Sequence, residues 1–167
     1  MTRPDRATAV AALAILLAVL PVACGGDEGA TPAFRVGDLT VSKVFAGSYG
    51  ATTAAAYLQI SNHGKADRLT GVSSPDAASV EPMGAMSAGT TTAANGSEPV
   101  DVEIPSGGSV SFTPGGAHLM LEDLRTPVDA GDTVRLRLTF EHAPPVDLDA
   151  RVVDVAEIPD LMAEDRR

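Results

Sequence analysis

The sequence predicts an all-β domain, an antiparallel β-sandwich with Greek-key connections. After the N-terminus, helix-favouring runs are scarce and Val, Thr, Ser, Gly and Pro are plentiful, a composition typical of short strands joined by turns. About seven to nine strand-like segments follow one another, with turn residues roughly every ten positions, as in sandwich folds. With no Trp, 2 Tyr and 4 Phe, the core must consist mainly of Val, Leu, Ile and Ala.

The first 24 residues have the composition of an export signal. Two arginines precede an apolar stretch, Ala9–Leu20, and small residues lead up to Cys24. This stretch is shorter than the about 20 residues of a membrane span. Its length therefore favours a signal peptide that comprises residues 1–23, and a retained anchor helix is the alternative. The motif PVAC resembles the lipobox of bacterial lipoproteins. That resemblance implies a lipid on Cys24 and an anchor in the membrane. The polar, glycine-rich sequence GGDEGATPA then predicts a flexible tether over residues 24–34.

The domain is predicted to span residues 35–158. Within Thr52–Gly64, Ala56 and Leu58 point to one face and Tyr57 to the other, and the sequence SNHG ends this strand as a turn. In chain order, the strand-like segments of the first half are FRVGDLTVSKVFAG, TTAAAYLQISNHG and ADRLTGVSSPDAASVEPM.

The second half begins after a segment without apolar periodicity, Gly84–Glu98, which is expected to be a loop or irregular hairpin. Three strand-like pieces then follow in VDVEIPSGGSVSFTPGGAHLMLEDL, and a clear alternation runs through Val134, Leu136, Leu138 and Phe140. The segment VDLDARVVDVAEI closes the domain. Residues 159–167 are expected to form a charged tail.

Charge and cysteine content exclude several classes of function. The formal net charge of −10 repels phosphate backbones, so nucleic acid is not expected as a partner. Cys24 is the single cysteine, so the domain has no thiol for a disulfide, a nucleophile or a blue-copper ligand. Phosphate-cradling, nucleophile-elbow and His-Glu-x-x-His motifs are also missing, and we expect no enzymatic activity.

A histidine and a methionine lie two positions apart after a Gly-Gly turn, in PGGAHLMLEDL. Because side chains alternate along a strand, Leu119 and Leu121 face the core while His118 and Met120 share the opposite face. Thioether and imidazole are ligands that suit copper, and thioethers favour Cu(I). The alternatives without a metal are a solvated histidine and a methionine that packs in the core.

Several segments together resemble the PCu(A)C-type copper chaperones of bacteria. The resemblance covers roughly Leu39 to Val155 and rests on AAAYLQISN, DRLTGVSSPDAASVE, EIPSGGSVSFTPGGAHLML and PVDAGDTVRLRLTFE. It implies a cupredoxin-like fold and a Cu(I) site outside the cytoplasmic membrane. It also implies delivery of copper toward the assembly of cytochrome c oxidase.

The resemblance also implies a ligand set. His118 and Met120 match the family's His-x-Met, and Met83 falls at its first position, where His or Met occurs. The family's middle Met is missing, because Gly96 lies near its expected position. Met86, three residues after Met83, is the expected substitute. The other candidate side chains, His63, His142 and Met162, match no ligand position.

These observations predict an extracytoplasmic, lipid-anchored protein that binds Cu(I) and either passes it to a copper-receiving protein of oxidase assembly or buffers it. The alternative is a lipoprotein of the same fold that has lost tight copper binding and acts as a scaffold or interaction module. The missing middle Met favours that alternative.

Overall fold

The computed structural model describes residues 33–84 and 100–163. Their chain forms ten strands and one short helix. The bounds are β1 Phe34–Val36, β2 Leu39–Ser48, β3 Ala54–Asn62, β4 Asp67–Ser73, β5 Ser79–Met83, β6 Val102–Ile104, β7 Ser109–Phe112, β8 His118–Glu122, β9 Thr133–Phe140, β10 Val146–Val152 and α1 Ile158–Ala163. β1 therefore starts at the last residue of the predicted tether.

All ten strands belong to one curled sheet. Its order is β5-β8-β3-β2-β10-β9-β4-β6, with β1 paired to β2 and β7 paired to β3. The curl brings β3 and β6 together, since the Asn62 side chain donates a hydrogen bond of 3.2 Å to the Ile104 carbonyl. The predicted all-β sandwich is confirmed with one correction: β2 and β10 pair in parallel, with Phe45 opposite Arg151.

Alternating residues build the main core on the inner face of the sheet. Along β9, exposed and buried residues alternate without a break, as the sequence predicts. Burial of such apolar side chains supplies about 1.5–3 kcal/mol for each large residue, which is consistent with a domain that has no disulfide. The largest fully buried side chains of this core are Phe112, Leu39, Leu58, Ile60, Leu69, Ile104, Leu119, Leu121, Leu136, Leu138 and Leu148.

A bulge in β2 changes which residues face this core. The register with β3 shifts between Ser42 and Phe45, and Lys43 has a φ of 55°. One extra residue in a strand reverses the alternation beyond it. Val41 before the bulge and Val44 after it therefore both enter the main core, while Phe45 points to the outer face.

The outer face carries a second apolar cluster, which we call the outer cluster. The helix α1 packs on it, and the side chain of Ile158 is fully buried. Gly47 makes room for this contact, because a Cβ there would lie 2.9 Å from both Ile158 Cδ1 and Val155 Cγ2. The members of the outer cluster are Phe45, Ala55, Tyr57, Val153 and Ile158, with Met120, Leu161 and Met162 packed against them.

The helix corrects the prediction of a charged tail from residue 159 onward. Residues 159–163 continue α1, and the Lys43 ammonium donates a hydrogen bond of 2.7 Å to the Met162 carbonyl. Pro159 suits the first helical turn, where its missing N–H would have no partner in the helix. Residues 164–167 lie outside the described part of the chain.

Among the described residues, no helix combines the length and the hydropathy needed to cross a bilayer.

Candidate metal centre

Pairing of β5 with β8 brings three of the predicted ligands together. Met83 lies directly opposite His118, and Glu81 lies directly opposite Met120. Opposite residues of an antiparallel pair have Cβ atoms about 4.5–5.5 Å apart and point to the same face. The four side chains therefore form two adjacent cross-strand pairs on one face of the sheet.

This face is the outer one, as the alternation in β8 predicts. Leu119 and Leu121 are fully buried in the main core, whereas His118 and Met120 are half-buried on the other side. Met83 and Glu81 are half-buried as well. All four side chains are therefore partly shielded from solvent and partly accessible to it.

The turn before β8 fixes the protonation pattern of the imidazole. His118 Nδ1 lies 3.1 Å from the carbonyl oxygen of Gly116. A carbonyl only accepts hydrogen bonds, so Nδ1 is the donor in this contact, and in the neutral ring the lone pair is on Nε2. Metal-binding histidines are commonly held by such a hydrogen bond from the second nitrogen. His118 is thus prepared to bind a metal through Nε2.

Tyr57 continues the same row of side chains toward the centre of the sheet. Its ring centroid lies 6.3 Å from that of His118, with the planes tilted by 39°. Its hydroxyl is 2.9 Å from the hydroxyl of the half-exposed Tyr49. Burial raises the pKa of Tyr57, and the hydrogen bond to Tyr49 adds to the effect. Tyr57 therefore remains a neutral phenol that packs beside the imidazole.

Met120 has a dual environment that the sequence did not predict. Its alternation with Leu119 and Leu121 argues against a core position, yet it packs against the outer cluster. The reason is that α1 covers part of the outer face, so residues on that face also gain apolar neighbours. Met120 combines a packing role with its place beside His118.

The two other histidines lie elsewhere on the domain, and several other candidates lie outside the described residues. Met86 and Gly96 lie outside the described residues, as does Cys24. His63 and His142 are both exposed, as expected. His142 Nδ1 lies 3.3 Å from the carboxylate of Asp67, a contact that sequence reasoning missed.

The donor chemistry is distinctive within the described residues. Nowhere in residues 33–84 and 100–163 do three His, Cys, Asp or Glu side chains cluster so that they could hold a metal ion. A metal site there depends on thioether sulfur. Two thioethers and one imidazole fit Cu(I) better than zinc, magnesium or calcium, which prefer harder ligands.

Two residues on this face were missed by sequence reasoning, namely Tyr57 and Glu81. Glu81 is two positions before Met83, so strand alternation already puts both on one face. What the sequence does not reveal is that β5 and β3 flank β8 on either side. That pairing makes Glu81 and Tyr57 neighbours of the candidate ligands.

Solved structures of copper-binding domains have the same fold. The copper-bound PCuAC domain from PmoF2 is 26% identical, with a TM-score of 0.60 over 74% of this chain and 98% of that one. The apo PCuAC domain from PmoF1 is also 26% identical, with a TM-score of 0.61 over 74% and 99%. The Cu(I) form of DR1885 from Deinococcus radiodurans is 25% identical, with a TM-score of 0.56 over 74% and 81%. The predicted likeness to PCu(A)C domains and the cupredoxin-like fold are confirmed.

Sequence relatives give the family. A relative from Leifsonia xyli subsp. xyli, named "Putative lipoprotein Lxx21020", is 31% identical over 145 residues and covers 83% of each chain. The family model described as "Putative lipoprotein LpqE-like" matches residues 39–152, from the start of β2 to the end of β10. Since this match spans nearly the whole described domain, the chain belongs to the LpqE-like family.

Proposed function

We propose that this protein is a copper chaperone that binds Cu(I) through Met83, His118 and Met120. The observation that carries the proposal is the register of β5 and β8, which puts Met83 opposite His118 and Met120 on the same face. The copper-bound structures with this fold support it. The ion is cargo, held for transfer.

The ligands suit transfer. Thioether and imidazole are neutral, and Cu(I) imposes little geometric demand on them, so one can be replaced by a ligand of a receiving protein. Their half-buried position on β5 and β8 leaves the site open to such a partner. We propose a copper-receiving protein of cytochrome c oxidase assembly as the recipient, with copper buffering as the other use of the same site. No catalytic step is part of this function.

The proposed location is the outer side of the cytoplasmic membrane, with lipid on Cys24 as the anchor. The motif PVAC and the lipoprotein name of the Leifsonia relative support this. Two or more acyl chains give stable attachment, where one gives only reversible binding. In fractionated cells, Cys24→Ser is expected to move the protein out of the membrane fraction, whereas persistence there would contradict the lipid anchor.

A scaffold without tight copper binding is the second candidate function. It is favoured by Gly96, which lies where the chaperone family has its middle Met. Met86 remains the predicted substitute. If it supplies a sulfur, Met86→Leu weakens Cu(I) binding.

A competition titration separates the two functions. The full chain, purified in detergent, is titrated with Cu(I) under ascorbate against a chromogenic Cu(I) chelator. We expect one bound ion per chain, and a loss of affinity of about tenfold or more in His118→Ala and in Met120→Leu. Leucine preserves the packing of Met120 on the outer cluster while removing sulfur, so a loss of affinity reports on ligation.

His63→Ala is the matched control, since His63 is an exposed histidine in a turn outside β5 and β8. Its affinity should equal that of the wild type. A wild-type chain that fails to compete with the chelator would support the scaffold instead.

A further inference from the structure

Glu81 is an acidic side chain within the candidate metal centre. It lies opposite Met120 in the register of β5 and β8, one cross-strand pair away from Met83 and His118. The pairs Met83–His118 and Glu81–Met120 are two residues apart along each strand, so all four side chains point to the outer face. A carboxylate thus occupies the fourth corner of the group of ligands.

Glu81 differs from other carboxylates of the described domain in its charge environment. Glu81 is half-buried, and no salt bridge among the described residues involves it. Other carboxylates of the domain have guanidinium partners, for example Asp76 with Arg135. A cation bound on this face would supply the opposite charge that the described residues do not pair with Glu81.

We propose that Glu81 is the fourth donor of this site and enables it to hold Cu(II) as well as Cu(I). This inference rests on the proposed copper function and specifies which oxidation states of copper the site binds. Met83, His118 and Met120 are neutral, so they stabilise the doubly charged ion poorly. A carboxylate oxygen is a harder ligand, and with the His118 nitrogen it provides the N,O donors that Cu(II) prefers.

Glu81 adds a carboxylate to a group of otherwise neutral donors. Glu81 lies in the same two cross-strand pairs as the neutral donors Met83, His118 and Met120. Its carboxylate would neutralise one unit of the charge of a bound Cu(II) ion, a gain that is smaller for the singly charged Cu(I).

The test compares both oxidation states in one variant. Glu81→Gln keeps the size of the side chain and removes its charge. The full chain in detergent is titrated with CuSO4 against a competing Cu(II) chelator, with electron paramagnetic resonance of the bound ion, and separately with Cu(I) as above. We expect Cu(II) affinity to fall about tenfold to a hundredfold, with changed hyperfine splitting, and Cu(I) affinity to change by less than about threefold.

Glu122→Gln is the matched control for charge. Glu122 is an exposed carboxylate on the neighbouring strand β8 and on the same face as Glu81, opposite Ser79. Glu122→Gln should leave Cu(II) affinity unchanged, while an equal loss in both variants would indicate a long-range effect of charge and overturn the proposal.

A wild type that binds Cu(I) but not Cu(II) also overturns the proposal for Glu81 while leaving the proposed function intact. Equal losses for both oxidation states in Glu81→Gln would refute the claim of selectivity. A wild type that binds neither ion would refute the proposed function itself.

Discussion

At the scale of single residues, Gly84 connects the first predicted ligand to the hydrogen bond that orients the second. It follows Met83 directly and has a φ of 83°, a left-handed conformation that glycine adopts without strain. A Cβ at this position would lie 2.6 Å from the Gly116 carbonyl oxygen. That oxygen accepts the hydrogen bond from His118. Glycine here thus allows β5 to approach the turn before β8.

Gly84→Ala should disturb both stability and copper binding. We expect unfolding to become easier by about 1–3 kcal/mol from backbone strain, and Cu(I) affinity to fall about tenfold as the Gly116 carbonyl and His118 move. Urea unfolding and the chelator competition measure the two effects. Gly107→Ala separates them, because Gly107 also has a positive φ, of 65°, but no atom within 4 Å of an added Cβ. Equal copper affinity in wild type and Gly84→Ala would contradict this role.

At the scale of elements, α1 is a folded part of the domain and forms one wall of the outer cluster. Its packing depends on Ile158, which is fully buried above Gly47. Met120 lies in the same cluster. The helix therefore supports the side of β8 that carries the candidate ligands.

Ile158→Ala should destabilise the protein by about 2–5 kcal/mol, because it removes buried methylenes and leaves a cavity. Urea unfolding followed by circular dichroism measures this. Leu161→Ala, a change at a half-buried position of the same helix, should cost less. If the segment were a solvated tail, both variants would unfold at the wild-type midpoint.

At the scale of the whole molecule, two buried or half-buried aspartates make stability depend on pH. Burial tends to raise the pKa of Asp67, but backbone N–H groups of Arg68, His142 and Ala143 donate to its carboxylate and together lower the pKa below its usual value. The Arg135 guanidinium similarly lowers the pKa of Asp76. Because the unfolded chain binds protons more tightly at both groups, their stabilising contribution is complete above the unfolded pKa of about 3.9.

The free energy of unfolding should therefore fall as the pH drops below about 4. Asp67→Asn should reduce this acid-dependent loss. At pH 7 it should also destabilise the protein by about 1–3 kcal/mol, because an amide nitrogen would face backbone donors. Asp147→Asn is the control, since Asp147 pairs with Arg137 in an exposed position and such pairs contribute little. Unfolding curves measured at several pH values between 3 and 7 test this prediction. If Asp67→Asn lost as much stability in acid as the wild type does, this account would be contradicted.

The sequence predicts those features that depend on alternation alone. The faces of β8 and β9 follow from single-strand periodicity, and the structure confirms them. The pairing of β5 with β8 depends on contacts between distant segments, so the position of Glu81 beside Met120 could not be foreseen. The helix IPDLMA is too short to show a helical period, and it forms because the outer cluster buries Ile158.

The bulge at Lys43 has a consequence for how the chain finds its fold. A shift of β2 by one residue would place Phe45 in the main core and Val44 on the outer face. Such a misalignment would therefore cost buried apolar contacts on both faces of the sheet. A one-residue deletion at Lys43 would reverse the facing of all later residues of β2, including those on which α1 packs. The bulge thus favours a single register of β2 and disfavours misfolded states with a shifted register.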